Sequence, residues 1–291
     1  MSRLAEALRH ADQSAPAGVA HARTGEEVFT TTLRVTSSMP TPSQTPLSRP
    51  QMSTQPAFQR GVNSGVGKLV TTPTVPPAAV EQYRRLAASM HHAQLERETR
   101  VLMVTSAAPG EGKTLTSANL ALTLSESYRR NVLLIDADLR RPSVHQVFQI
   151  PNIVGLTDVL RNEDDEKLPL IQVSENLTVL PAGRPDPDPI AGLTSDRMRR
   201  IVEEAAARHD WLIIDTPPVG FLSDANLLAT MVDAVLFVVR ANKSPYSLVH
   251  RALEAVGRDR ILGVVLNAVD ENVDVAGYSY YDYYGLTQGQ K

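Results

Sequence analysis

A mainly parallel α/β sheet covered by helices on both faces is the architecture this sequence predicts, and three observations predict it. Continuous apolar runs recur at Val101–Val104, Val132–Ile135, Trp211–Ile214, Ala234–Val239 and Ile261–Leu266, which suits strands buried on both faces. Segments with helical spacing lie between them, and parallel strands need crossovers of that length. The first run passes into a glycine-containing loop and then a helix start, a junction where backbone N–H groups gather around an anion.

That junction reads Thr105-Ser-Ala-Ala-Pro-Gly-Glu-Gly-Lys113-Thr114. Gly110 and Gly112 allow successive amides to turn inward around a polyphosphate. Lys113 is expected to reach the β- and γ-phosphates and Thr114 to offer its hydroxyl to Mg²⁺, the usual division of labour for Gly-Lys-Ser/Thr at a helix start. Pro109, Gly110, Glu111, Gly112, Lys113, Thr114 and Leu115 are therefore the expected nucleotide-binding residues. Ala107 stands where the general pattern has its first glycine. Taken alone, such a loop is also compatible with a plain glycine turn whose lysine caps a surface helix.

Two later strand ends weigh against that simpler reading. In Val132-Leu-Leu-Ile-Asp136-Ala-Asp138-Leu-Arg140-Arg-Pro142 the carboxylates follow the apolar run, at the edge where open α/β sheets bind ligands. Standing alone they read as exposed loop carboxylates; beside a phosphate loop they are placed to handle Mg²⁺ and a proton. In Trp211-Leu-Ile-Ile-Asp215-Thr-Pro-Pro218 an apolar strand delivers Asp215 to the same edge, the form of a Walker B strand, and Pro217 and Pro218 end it at once. The catalytic candidates are thus Lys113, Asp136, Asp138 and Asp215, with Thr114, Asp138 and Asp215 as metal ligands.

The other elements follow in order. Ser2–Ala11 has helical spacing but is too short to stand alone in water. From Ser14 to about Pro77, Pro, Ser and Thr dominate and the chain reads as a disordered tether, with strand-like residues only at Glu27–Val35. Folded structure is expected from about Ala78, where Val80, Tyr83, Leu86, Ala87 and Met90 recur at helical spacing and Pro76 and Pro77 block extension backwards. Helices are expected over about 113–128, from Gly155, over about 194–208 with Thr194 or Ser195 as cap, and over 245–256. Leu177–Leu180 is a further strand, the acidic run Glu163–Glu166 a solvated loop, and Pro185–Pro189 a loop.

Composition narrows the function. A chain of 291 residues with a formal charge of −3 has no bulk attraction for nucleic acid, and its lack of cysteine excludes disulfides and thiolate metal sites and fits a reducing cytoplasm. No run approaches the roughly 18 apolar residues of a membrane span, and no apolar region follows the first charges. The expectation is a folded domain over 78–276 between a tether over 1–77 and a tail over 277–291. That tail holds Tyr278, Tyr280, Tyr281, Tyr283 and Tyr284 out of eight tyrosines in the chain. Flanked by Gly277 and Gly285, it reads as flexible, and exposed phenols beside a nucleoside triphosphate site are candidate phosphoryl acceptors.

Between about Ala78 and Gly285 the chain resembles the bacterial tyrosine kinases of capsule and exopolysaccharide synthesis. The resemblance rests on Ala-Pro-Gly-Glu-Gly-Lys-Thr, Leu-Leu-Ile-Asp-Ala-Asp-Leu-Arg-Arg-Pro, Leu-Ile-Ile-Asp-Thr-Pro-Pro and the terminal tyrosine cluster. It implies a P-loop fold using ATP and Mg²⁺, with autophosphorylation of the tail between subunits. Asp136 is then the expected acceptor of the tyrosine proton, in a role exchangeable with Asp138, and Asn267 an adenine contact. The resemblance also implies a ring supported by Glu-x-x-Arg-x-x-Arg, which here reads Glu81-Gln-Tyr-Arg84-Arg85-Leu-Ala87, with alanine at its last position. A separate transmembrane polysaccharide co-polymerase as activator, a cognate tyrosine phosphatase, and recruitment from the cytoplasm to the inner face of the plasma membrane complete the expectation. The first three motifs alone would also admit a partition- or septum-site-type ATPase switch, or an ATP-controlled scaffold of the export machinery.

Overall fold

The structure, a computed structural model, describes residues 65–162, 167–219 and 224–269. The N-terminal helix and tether up to residue 64, the Glu163–Glu166 run and the tyrosine cluster lie outside the described residues. A seven-stranded sheet organises the rest in the order β3-β4-β2-β5-β1-β6-β7. The strands are β1 (Val101–Ser106), β2 (Val132–Asp136), β3 (Ile171–Ser174), β4 (Leu177–Leu180), β5 (Trp211–Asp215), β6 (Ala234–Arg240) and β7 (Ile261–Asn267). All neighbours pair in parallel except β3, which runs antiparallel to β4 at one edge.

Every residue of β1, β2 and β5 is buried, as expected of apolar runs in the middle of a parallel sheet. Their side chains alternate between two cores. Leu102, Val104, Leu134 and Ile213 pack toward helices α1 (Pro77–Arg97) and α2 (Lys113–Glu126). Met103, Leu133, Ile135, Leu212 and Ile214 pack with the other group, which includes α4 (Leu156–Arg161), α6 (Asp196–Arg208) and α8 (Tyr246–Val256). Three short helices were not expected: α3 (Val144–Phe148), α5 (Ile190–Leu193) and α7 (Asp224–Leu228).

Helix α2 crosses the sheet almost wholly buried despite its Ser, Thr and Asn content. Ser117, Thr123 and Ser125 return their hydroxyls to backbone carbonyls three or four residues earlier, which satisfies them inside the core. Asn119 donates to Lys68 O at 3.1 Å and accepts from Val70 N at 2.8 Å. That clasp and buried Leu69 bring the packed structure upstream of residue 78, into what composition assigns to the tether. Pro77 occupies the first turn of α1, where a missing N–H is harmless. At the other ambiguous start, Ser195 caps α6 by accepting from Met198 N at 3.2 Å, while Thr194 bonds back to Ile190 O.

Candidate functional site

The C-terminal ends of β1, β2 and β5 meet at the first turn of α2. Gly110 and Gly112 adopt φ of 78° and 97°, in the left-handed region that other residues avoid. At Gly112 a side chain is excluded twice, because an added Cβ would stand 2.0 Å from Asn267 Nδ2. The loop is held from outside as well. Glu111 is buried, and its carboxylate accepts from Ala108 N at 2.7 Å and from the Ser244 hydroxyl. Arg240 donates to Gly110 O at 3.2 Å.

Thr114 donates its hydroxyl to Asp215 Oδ2 at 2.7 Å, and the one Ser117 hydroxyl proton is shared between Lys113 O at 3.0 Å and Asp215 Oδ1 at 3.1 Å. Ser143 Oγ lies 2.9 Å from Thr114 Oγ1; with the Thr114 proton committed to Asp215, Ser143 is the donor of that pair. Asp215 sits opposite Asp136 in the β2–β5 register, and both are fully buried. Asp136 accepts from Asp138 N, Ser143 N and Val144 N at 3.2, 3.0 and 3.0 Å. Its two oxygens thereby fold the segment 138–144 around themselves. Asp138 is half-buried, its carboxylate accepting from Arg141 N at 3.1 Å.

Burial raises all three carboxylates above the ordinary aspartate range. For Asp136 the neighbouring Asp215 adds to that rise, and the amides of Val144 and Ser143 only partly oppose it. Asp215 is raised to about 6 by burial, against the pull of the Lys113 ammonium and the Thr114 hydroxyl. Asp138 is raised by burial, opposed by its hydrogen bond from Arg141 and by Lys113. Facing carboxylates with this proton affinity form a site short of positive charge. The converging donors are all oxygens, a set that suits a hard divalent cation, so these residues fit Mg²⁺. Among the described residues no three Asp, Glu, His or Cys side chains form a metal cage by themselves. That agrees with Mg²⁺, which uses one or two carboxylates and takes its other ligands from phosphates and water.

The sequence-predicted residues Gly110, Gly112, Lys113, Thr114, Asp136, Asp138 and Asp215 thus come together at one sheet edge. Pro109 is exposed on the loop and Leu115 partly buried in the first turn of α2. Asn267 is the last residue of β7 rather than a residue beyond it, and it is bound to the loop: Nδ2 donates to Glu111 O at 2.9 Å and Oδ1 accepts from Ala268 N at 2.9 Å. Ser143, Ser117, Ser244 and Asp224 escape sequence reasoning. Asp224, 1 % exposed, binds Arg140 through Nε at 2.7 Å and Nη2 at 3.3 Å, while Arg140 Nη1 donates to Pro187 O. Of these only Ser143 carries a sequence signal, a serine after Pro142 at the start of a helix.

Comparison with known proteins agrees with this geometry. Residues 102–279 match the family described as the CobQ/CobB/MinD/ParA nucleotide binding domain. The tyrosine-protein kinase YwqD of Bacillus subtilis is 36% identical over 208 residues, covering 70% of this chain and 86% of that protein. The tyrosine-protein kinase CpsD of Streptococcus agalactiae is 34% identical over 193 residues, covering 65% of this chain and 83% of that one. Among solved structures, the kinase domain of the Escherichia coli tyrosine kinase ETK superposes with a TM-score of 0.63 at 35% identity, over 69% of this chain and 80% of that chain.

Proposed function

The chain belongs to the family of bacterial tyrosine kinases, and from that premise we propose that it transfers the γ-phosphoryl group of ATP to tyrosines of its own C-terminal cluster, between subunits. The observation that carries the proposal is the junction of Lys113, Thr114, Asp136 and Asp215 beside a half-buried Asp138. Lys113 and the amides of Gly110, Glu111 and Gly112 hold the phosphates. Thr114 and Asp215 hold Mg²⁺, with Asp136 behind them. Bound there, Mg²⁺ neutralises charge on the phosphate oxygens.

The two aspartates of the β2 loop are given different roles in this reading, supported by their different contacts. Asp136 has both oxygens engaged by backbone N–H groups and no exposed surface, so its work is to order the loop. Asp138 is only half-buried, and burial raises its affinity for a proton. It is therefore assigned the phenolic proton, since a tyrosine of pKa about 10 arrives protonated at neutral pH. In the transfer the phenolic oxygen bonds to phosphorus, the bond to the β–γ bridging oxygen breaks, and ADP departs with that electron pair.

Subunit contact is assigned to helix α1. Arg84 and Arg85 are exposed there, each near Glu81 at 3.6 and 3.9 Å. Ala87 is fully buried against the sheet, so an arginine at that position has no room on the surface. A ring built on this helix would rest on Arg84 and Arg85 alone. Among the described residues no helix is long and apolar enough to cross a membrane. A separate membrane co-polymerase as activator, a cognate phosphatase, placement at the inner face of the plasma membrane and a role in polysaccharide export complete the proposal.

Mass spectrometry of the protein purified from cells, beside Lys113→Met and a version with the five tail tyrosines changed to Phe, tests the proposal. Phosphate on Tyr278–Tyr284 that disappears in Lys113→Met is the expected result. Bare tyrosines in every sample, even with Mg²⁺-ATP and the partner's cytoplasmic segment added, would sink it.

A further inference from the structure

A second cleft of about 610 Å³ opens directly behind the site, lined by Arg140, Arg141, Ser143, His145, Gln146 and Asn152 among others. Ser143 is the shared wall, since its hydroxyl bonds Thr114 and its amide bonds Asp136. Among the described residues no Asp or Glu lines this cleft. Not all of its polar groups are available. The Arg140 guanidinium is spent on Asp224 and Pro187, and the Asn152 amide on Gly183.

Arg141, His145 and the exposed, uncharged Gln146 are left. Arg141 is exposed and makes no ion pair or side-chain hydrogen bond among the described residues, while its backbone N–H is fixed on Asp138 and its charge acts on that carboxylate from a distance. His145 lines the same cleft; among the described residues its Nδ1 has no partner and is closed off from solvent, so a turn of the ring would be needed to present it, and burial lowers its pKa, so at neutral pH the imidazole offers hydrogen bonding rather than charge. An exposed arginine and a neutral imidazole lining one cleft, one wall away from the transferring phosphate, are chemistry for a phosphate dianion.

The cluster supplies such a group during its own modification. Its tyrosines stand at 278, 280, 281, 283 and 284, so once one is phosphorylated the next acceptor lies one to three residues away. In an extended chain two or three residues span about 7–10 Å, and the two sites share Ser143 as a common wall. We propose that the Arg141–His145 cleft is a phosphotyrosine subsite, which holds a phosphate already on the cluster while a neighbouring tyrosine meets the γ-phosphate. This rests on the kinase reading above and adds an order to it: the first transfer is unprimed and slow, and later ones are primed. The subsite only binds; the bonds made and broken are those of the transfer already described.

The test uses the full chain with its own tail tyrosines changed to Phe, so that only added peptide is phosphorylated. Peptides spanning Gly277–Leu286 keep Tyr281 as the one acceptor, the other tyrosines being Phe, and carry no phosphate or a single phosphotyrosine at 278 or at 283. The expected result is a kcat/KM about tenfold higher for at least one primed peptide, the scale of one charge-assisted contact. Arg141→Gln and His145→Gln should each shrink the primed-to-unprimed ratio, and Arg141→Lys should keep part of it. Comparing ratios within each variant removes any general effect on folding or on Asp138. Inorganic phosphate should compete with the primed peptide and leave the unprimed one unaffected. Equal kcat/KM for primed and unprimed peptides, or equal inhibition of both by phosphate, overturns the subsite while leaving the kinase intact. No transfer to any peptide, with an unmodified tail on the parent chain, overturns the kinase reading instead.

Discussion

The hydroxyl of Thr114 donates to Asp215 Oδ2 at 2.7 Å, so the first turn of α2 and the end of β5 are joined through one buried carboxylate. This contact places the phosphate loop over the edge of the sheet and sets where a cation between them would sit. Thr114→Ala should leave the fold in place and lower phosphoryl transfer by about a hundredfold or more, the scale for losing one preorganised group at a charged transition state. Thr114→Ser should recover most of the rate, which steady-state kinetics with varied Mg²⁺ will show.

Asp136 and Asp138 should separate cleanly. Asp138→Asn is expected to cut tyrosine phosphorylation by about 10²–10⁴ with little change in nucleotide affinity, as for loss of a proton acceptor. Asp136→Asn keeps only one oxygen for three backbone donors, so its main effect should be a loosened 138–144 segment, read by hydrogen exchange. A larger loss of transfer in Asp136→Asn with that segment still protected would return the proton to Asp136.

The acid pair should give a pH signature in metal- and nucleotide-free protein. Asp215 titrates near 6 when folded, above its unfolded value, so the folded state binds the extra proton between about pH 4 and 6. Stability from this group is therefore fully present below the unfolded pKa and is lost as pH rises through 6, by up to about 3 kcal/mol. Asp136, shifted in the same direction, adds to that slope. Melting temperature should fall from pH 5 to pH 7, and Asp215→Asn should flatten the trend. A parent curve that rises over this interval would contradict the burial of the pair.

Gly112→Ala should be among the worst single changes in the loop. Its φ of 97° is strained for alanine by about 1–3 kcal/mol, and the new Cβ meets the Asn267 amide. The double variant Gly112→Ala, Asn267→Ala should recover the part due to collision and not the part due to φ. Melting curves and the Kd of a non-hydrolysable ATP analogue measure the two shares.

Much of this was legible in the sequence because central parallel strands are buried on both faces and therefore read as unbroken apolar runs. β1, β2 and β5 are such strands, and each ends in the residues that matter. Edge strand β3 was not legible: the apolar–polar alternation of Ile171-Gln-Val-Ser174 is there, but four half-buried residues are too short a run to stand out. Residues 68–70 were hidden for a different reason, since Asn119 holds them from 49 and 51 positions away and composition cannot register that.

By itself the sequence determined the chemistry on offer: a glycine loop, a lysine and hydroxyl at a helix start, and three aspartates at strand ends, because local backbone demands and apolar runs are written in consecutive residues. Only the tertiary structure decided how those aspartates are buried and hydrogen-bonded. The β2–β5 register sets Asp136 against Asp215, three backbone amides close over Asp136, and Asp138 is left half-buried. Strand order, burial and the approach of Ser143 to Thr114 are long-range outcomes of packing two cores on one sheet, and no stretch of neighbouring residues encodes them.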